Sequence, residues 1–322
     1  MAVFGSPLFF PVMTAVTLFV SSAHGITQAA EAASPPHTRA QDVVGETVAD
    51  RPSPHYRFET HELTSADGKR RYRIQIAIPK TPPAPEGPAA LYMLDGNAAM
   101  DTLTDNDLAS LAERNPPVLV AIGYDVPTRN DVVSRAYDYT PPVFENGQRV
   151  AEPVVRGRIG GGADIFLQLI QDEIKPLLRS RATLNQTSYL WGHSYGGLFA
   201  MHVLFSKPDA FSSYIVGDPS AWWHDGALVH EWEASEKSRT AGKHVAILVG
   251  TKPRPPGRPA PDDVVITTGD GRQIAPRTAV REMADGLKKH GAKVHYQEFP
   301  EHGHGDMIRA SLEHALHIAS EP

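Results

Sequence analysis

Between Tyr56 and Pro79 apolar and polar residues alternate. "YRFETHEL" and "RRYRIQIAIP" flank the turn-forming "SADGK", so the pattern predicts a β-hairpin with Tyr72, Ile74, Ile76 and Ile78 on one face. Beyond Pro79 the period changes. "ALYMLDG", "VLVAIGY", "SYLWGHS", "SSYIVGDPS", "KHVAILVGT" and "AKVHYQEFP" are short apolar runs of the kind found in strands covered on both faces. Helical patterns lie between them, at Ala98 to Arg114, Asp164 to Arg179, Gly197 to Ser206, Leu228 to Ser238, Thr278 to His290 and Met307 to Ala319. Strands alternating with helices predict an α/β architecture: a mostly parallel sheet, helices on both faces and the hairpin at one edge. With no internal repeat and no second nucleating core, residues 55–322 read as a single domain.

Two segments break this rhythm. Tyr124 to Gly162 contains "SRAYDYTPP" and "RGRIGGGAD", and Lys252 to Ala275 is rich in Pro and Arg. Long connections in a compact domain are usually functional or disordered, and parallel sheets carry ligands at their C-terminal strand ends. The first segment is therefore expected to wall a pocket, the second with less to support it.

Ahead of the domain, "LFFPVMTAVTLFV" from Leu8 to Val20 is too short to span a bilayer comfortably and is followed by small residues. It reads as a secretory signal over residues 1–25, either cleaved after Gly25 or Ala32 or retained as an anchor, although its start carries no Lys or Arg. Residues 26–54 are polar and Pro-rich and read as a flexible leader. A periplasmic protein with no permanent membrane span is expected, and the absence of cysteine is compatible with export. The composition, 41% hydrophobic and 21% charged, is that of a globular chain, and a net charge of -6 argues against nucleic acid as a partner.

The chemistry concentrates in Gly192-His193-Ser194-Tyr195-Gly196. An apolar strand before this Gly-x-Ser-x-Gly and an apolar helix after it is the context of a nucleophile elbow, with the Ser194 hydroxyl exposed on a sharp turn. A neutral hydroxyl needs a base. "YQEFPEHGHGDM" after the last strand offers His302 and His304, and His304, set between glycines, is preferred. The triad acid should follow "AILVG", but Thr251-Lys252-Pro253 stands there without a carboxylate. Asp262, Asp263 and Asp270 lie further along and read as solvated loop charges, so a Ser194–His304 dyad is expected. Tyr195, just past the nucleophile, and Asn97, in the loop after "LYMLDG", supply the amides of an oxyanion hole. The two histidines of "HGH" lack a third ligand at a recognisable spacing, so no metal and no cofactor are expected.

Taken together, "LYMLDGNAAMD", "PPVLVAIGY", "SRAYDYTPP", "WGHSYGGLF" and "FPEHGHGDM" resemble the periplasmic siderophore esterases of the enterochelin esterase-like family. The likeness runs in order from about Tyr56 to the C-terminus and implies the α/β-hydrolase fold. It also implies hydrolysis of the serine esters in enterobactin or salmochelin, with the ferric catecholate as substrate and iron arriving with it. Carried over, Ser194 and His304 fall on nucleophile and base, and the family's periplasmic branch works with such a pair. Arg135 falls where a cation would meet an anionic catecholate, and Trp222 and Trp223 fall where indoles would stack on catechol rings. Two other readings remain open. One is a general carboxylesterase or acyltransferase on small acyl esters; the other is a non-catalytic siderophore- or metal-binding protein.

Overall fold

The computed structural model describes Met1, Ala2, Gly5 and residues 41–81, 86–145, 147–254 and 263–321. The chain divides at Pro36, and every element below belongs to the unit beginning at His37. Strands β1 (Tyr56–Thr64) and β2 (Arg71–Pro79) pair antiparallel, and the face carrying Tyr72, Ile74 and Ile76 is buried. β3 (Ala90–Leu94) leads into α1 (Gly96–Thr102). The helical pattern from Ala98 to Arg114 resolves into two helices. Thr104 caps α2 (Asp105–Ala112): its hydroxyl accepts from the Asp107 amide, and the Asp107 carboxylate accepts from the Thr104 amide. β4 (Val118–Tyr124) then returns to the sheet.

The expected pocket wall contains α3 (Ser134–Asp138) and two small hairpins, β5 (Phe144–Glu145) with β6 (Gln148–Arg149) and β7 (Val154–Val155) with β8 (Arg158–Ile159). α4 (Ala163–Leu169) continues through a π-helical turn at Ile170–Ile174 into α5 (Lys175–Arg181). Next come β9 (Ser188–His193), α6 (Tyr195–Ser206), β10 (Ser213–Gly217), α7 (Ala227–Ala234) and β11 (His244–Gly250). The chain closes with the hairpin β12 (Ile266–Thr267) and β13 (Gln273–Ile274), then α8 (Pro276–Lys289), β14 (Lys293–Phe299) and α9 (Met307–Ala319).

Eight strands form the main sheet in the order β1-β2-β4-β3-β9-β10-β11-β14, antiparallel up to β4 and parallel from there on. This is the mixed, mostly parallel sheet with an N-terminal hairpin that the hydrophobic pattern predicts. Alternate strand residues feed two cores. Ile76, Tyr92, Val120, Leu190 and Val216 pack with α4 and α6 to α8, whereas Leu91, Met93, Trp191 and Leu248 pack with α1, α2 and α9. Each fully buried Leu or Phe contributes about 1.5–3 kcal/mol, so strand ends framed by these cores are stiff platforms for a site.

The leader reading needs correction over its described part, 41–54. Val43 bridges Thr128, Asp42 and Val44 exchange backbone hydrogen bonds with the loop after β4, and Val48 is buried in the second core. Val48 is one of the few apolar residues in a polar stretch, too few to register as a pattern, yet it finds a core position. The segment read as a signal, apart from Met1, Ala2 and Gly5, lies outside the described residues. Among those that are described, no helix is long and apolar enough to cross a membrane.

Candidate active site

Ser194 stands between the end of β9 and the first residue of α6 with φ 61 and ψ -117, a region that non-glycine residues rarely enter. Such strain costs about 1–3 kcal/mol and persists only where the surroundings enforce it. Here they do: the Ser194 amide donates to Gly217 O at 2.9 Å, and Ser194 O accepts from the Ser220 amide at 3.1 Å. The turn closes only because Gly192 lacks a side chain, since a Cβ there would lie 2.3 Å from the Gly196 carbonyl oxygen.

His304, in the loop between β14 and α9, reaches this serine. The Ser194 hydroxyl donates to His304 Nε2 at 3.1 Å. The Ser220 hydroxyl lies 3.3 Å from Ser194 Oγ and is free to donate to it. Behind the imidazole, His304 Nδ1–H donates to Asp218 Oδ2 at 2.5 Å. Asp218 follows β10 in a left-handed conformation (φ 40), fixed by its amide donating to Leu248 O and by the Gly250 amide donating to its Oδ1. The expected dyad without a nearby acid is thus corrected: the imidazole is oriented by a buried carboxylate, supplied one strand earlier than the usual position after β11.

Of the other carboxylates considered for this place, the two that are described are engaged elsewhere. Asp263 pairs with Arg254, Asp270 accepts from Thr268 and Arg272, and Asp262 lies outside the described residues. His302, the rival base, turns its ring edge-on to Phe299. His193 supports His304 instead: its Nε2–H donates to the His304 carbonyl at 2.8 Å, with ring centroids 4.7 Å apart. Burial, with the His304 charge adding to it, pushes His193 down to about 3, so it is a neutral donor at ordinary pH.

The oxyanion loop is packed against the sheet. Tyr195 opens α6, where a first-turn N–H has no partner within its own helix. Asn97 sits in the first turn of α1, and the two hydrogens of its side-chain amide are shared among the carbonyls of Tyr124, Val126 and Thr128, each 3.0 Å from Nδ2. With Oδ1 accepting from the Tyr124 amide, only the Asn97 backbone N–H remains to face a ligand. Gly123 makes room for this, because a Cβ there would lie 2.1 Å from Asn97 Oδ1.

The model of the Esterase family matches residues 65–315. Over 277 residues, 85% of this chain and 82% of the relative, the sequence is 36% identical to the apo-salmochelin esterase of Escherichia coli O6:H1. It is 27% identical to the ferri-bacillibactin esterase BesA of Bacillus subtilis, across 82% of this chain and 90% of that one. The solved structure of the enterobactin hydrolase IroE in complex with DFP superposes with a TM-score of 0.70 at 34% identity, covering 85% of this chain and 99% of that one. The chain belongs to the esterase family.

In this esterase Arg135 is not the free cation that was expected. Its guanidinium makes a two-pronged pair with Asp95, 2.8 and 2.7 Å, in the turn between β3 and α1. Burial opposes the charge, and the Asp95 carboxylate outweighs it, leaving the Arg135 pKa above its ordinary value. The Asp95 amide donates to the Tyr139 hydroxyl, and Arg135 lies over the rings of Tyr139 and Tyr195. Arg135 therefore braces the loop that carries Asn97. The two tryptophans also separate. Trp223 is buried against Gly160, where a Cβ would come within 2.6 Å of the indole, so it anchors the pocket wall and offers no face to a ligand. Trp222 is half-buried, 5.9 Å from the Tyr195 ring, and Arg156 of the β7–β8 turn lies 4.5 Å over its indole.

The Tyr124 to Gly162 segment thus stands beside the serine through the contact of Arg156 with Trp222. The Lys252 to Ala275 segment docks elsewhere: Ile266 is buried against Gly226, and Glu233 accepts from the Gly269 amide. Sequence reasoning missed Asp218, Ser220 and Arg156. The Asp of "GDPS" at a strand's C-terminal end was the available signal for the first.

Proposed function

We propose that this esterase hydrolyses the ester bonds of catecholate siderophores of the enterobactin and salmochelin type, with the ferric or iron-free siderophore as substrate. The observation that carries the reading is the line Ser194 Oγ, His304 Nε2, His304 Nδ1, Asp218 Oδ2, in a chain similar to esterases named for siderophores. In this mechanism Ser194 attacks the ester carbonyl as His304 takes its proton, and Asp218 holds the imidazole in the tautomer that leaves Nε2 free. The backbone N–H groups of Tyr195 and Asn97 stabilise the tetrahedral oxyanion. As the intermediate collapses, His304 gives the proton to the departing serine hydroxyl of the siderophore. Water, deprotonated by His304, then releases the acyl group from Ser194 and restores the enzyme.

Export to the periplasm is part of this reading and rests on the apolar run Leu8 to Val20. Nucleic acid has no place in it, in keeping with the net charge of -6. Ser194→Ala should lower enterobactin hydrolysis by about 10⁴-fold or more, followed as linear trimer, dimer and monomer by mass. Turnover retained in that variant would overturn the assignment. A wild type that cleaves simple aryl esters far better than the trilactone would replace the substrate.

A further inference from the structure

The β7–β8 hairpin turns in two residues, Arg156 (φ 55) and Gly157 (φ 73), because Val155 pairs with Arg158. A turn with two positive φ values favours Asn or Gly at its first position. Arginine has no such preference, so the strain at Arg156 points to a task for its side chain. That side chain is exposed and lies over the Trp222 indole, 4.5 Å from the ring centroid. Trp222 in turn touches Tyr195, the residue after Ser194. Arg158 stands next to the turn, opposite Val155, and the Tyr195 phenol, pushed up by burial, is pulled back by the charges of Arg135, Arg158 and Arg156.

Arg135 is neutralised by Asp95, whereas neither Arg156 nor Arg158 has a carboxylate partner among the described residues. In a chain of net charge -6, two arginines with no carboxylate partner among the described residues thus stand on one hairpin whose tip reaches Trp222. The base of the hairpin is rigid: the Gly160 amide donates to Pro153 O, and Gly161 to the Thr140 hydroxyl. Ferric iron held by three catecholate dianions is a trianion, while the iron-free trilactone with protonated catechols is neutral.

We propose that Arg156, seated on Trp222, and Arg158 form a cationic clamp that selects the anionic iron-loaded siderophore over its iron-free form. This rests on the siderophore reading above and adds to it the form preferred. A guanidinium already stacked on an indole loses little freedom on binding and presents planar donors to catecholate oxygens. Clamp charges at a pocket rim act chiefly on association, so the preference is salt-dependent.

The test is steady-state hydrolysis of ferric enterobactin, iron-free enterobactin and a neutral p-nitrophenyl ester by wild type, Arg156→Ala, Arg158→Ala, the double variant and Arg156→Lys. The double variant should raise KM for the ferric form about tenfold or more and for the other two substrates by less than about threefold. Arg156→Lys, which keeps the charge, should recover part of the loss. In wild type the ferric preference should shrink as salt rises from low ionic strength. A ferric-to-iron-free ratio that stays within about twofold of wild type in the double variant, or an equal loss on all three substrates, overturns the clamp. Those results leave the siderophore reading standing. A wild type that cleaves only the p-nitrophenyl ester overturns that reading and the clamp with it.

Discussion

His304 and His202 each donate Nδ1–H to a carboxylate on another element, and they serve opposite ends. His304 meets Asp218 at 2.5 Å at the mouth of the sheet; His202, two turns into α6, meets Glu231 of α7 at 2.7 Å in the helical layer. The far nitrogen separates them. His304 Nε2 accepts from the Ser194 hydroxyl, whereas His202 Nε2 donates to Asp164 of α4 at 3.3 Å. Exposure separates them further, 47% for the His304 side chain against 2% for His202. Burial works against charge on His202, but Glu231 and Asp164 outweigh it and raise the group to about 9. A carboxylate on one side only leaves an imidazole able to take and return a proton. Carboxylates on both sides turn it into a fixed cation that ties α4, α6 and α7 together.

The comparison breaks most visibly at Asp218. Asp218→Asn should lower kcat by about 10³–10⁴-fold, because an amide facing Nδ1 favours the wrong imidazole tautomer. A loss of less than about tenfold in kcat would mean that the serine and histidine suffice and that the carboxylate only holds a loop. His202→Leu tests the other pair. It strands Glu231, whose Oε2 is already buried without a hydrogen-bond partner, and should cost about 3–5 kcal/mol in urea unfolding. kcat of the folded variant should stay within about twofold, since His202 lies two turns along α6 from Ser194 and bonds to Glu231 and Asp164.

The smallest expected effect is one of pH. The folded pKa of His202 lies above the ordinary histidine value of about 6.5, so its stabilisation is complete below about pH 6.5 and is lost as pH rises through about 9. The loss between those limits is on the order of 3 kcal/mol. Unfolding curves at pH 7 and pH 10 should show it in wild type and not in His202→Leu; equal losses in both would assign the effect to other groups.

Much of the fold was legible because the strands are what the alternation and the apolar runs describe. Tyr72, Ile74 and Ile76 occupy the buried face that the hairpin pattern assigns them, and the runs around Leu91, Leu119 and Leu248 are covered on both sides. The serine turn was legible through its glycines. The acid was not, because position in the chain was read in place of position in space. Asp218 and Thr251 end neighbouring parallel strands, and His304 is close enough to reach the nearer carboxylate. Arg135 and Trp223 were misread for a related reason: composition marks an arginine or an indole as able to bind, while only packing shows whether it is already committed. The break at Leu103 and the docking of Val48 depend on tertiary fit and leave little trace in a local window.

The supply of Asp218 by β10 has a consequence for the neighbouring connection. With the carboxylate anchored before it, the chain leaving β11 at Thr251 carries no catalytic atom and is released from geometric duty. The sequence between Thr251 and α8 can therefore vary in length and composition while the proton path stays in place.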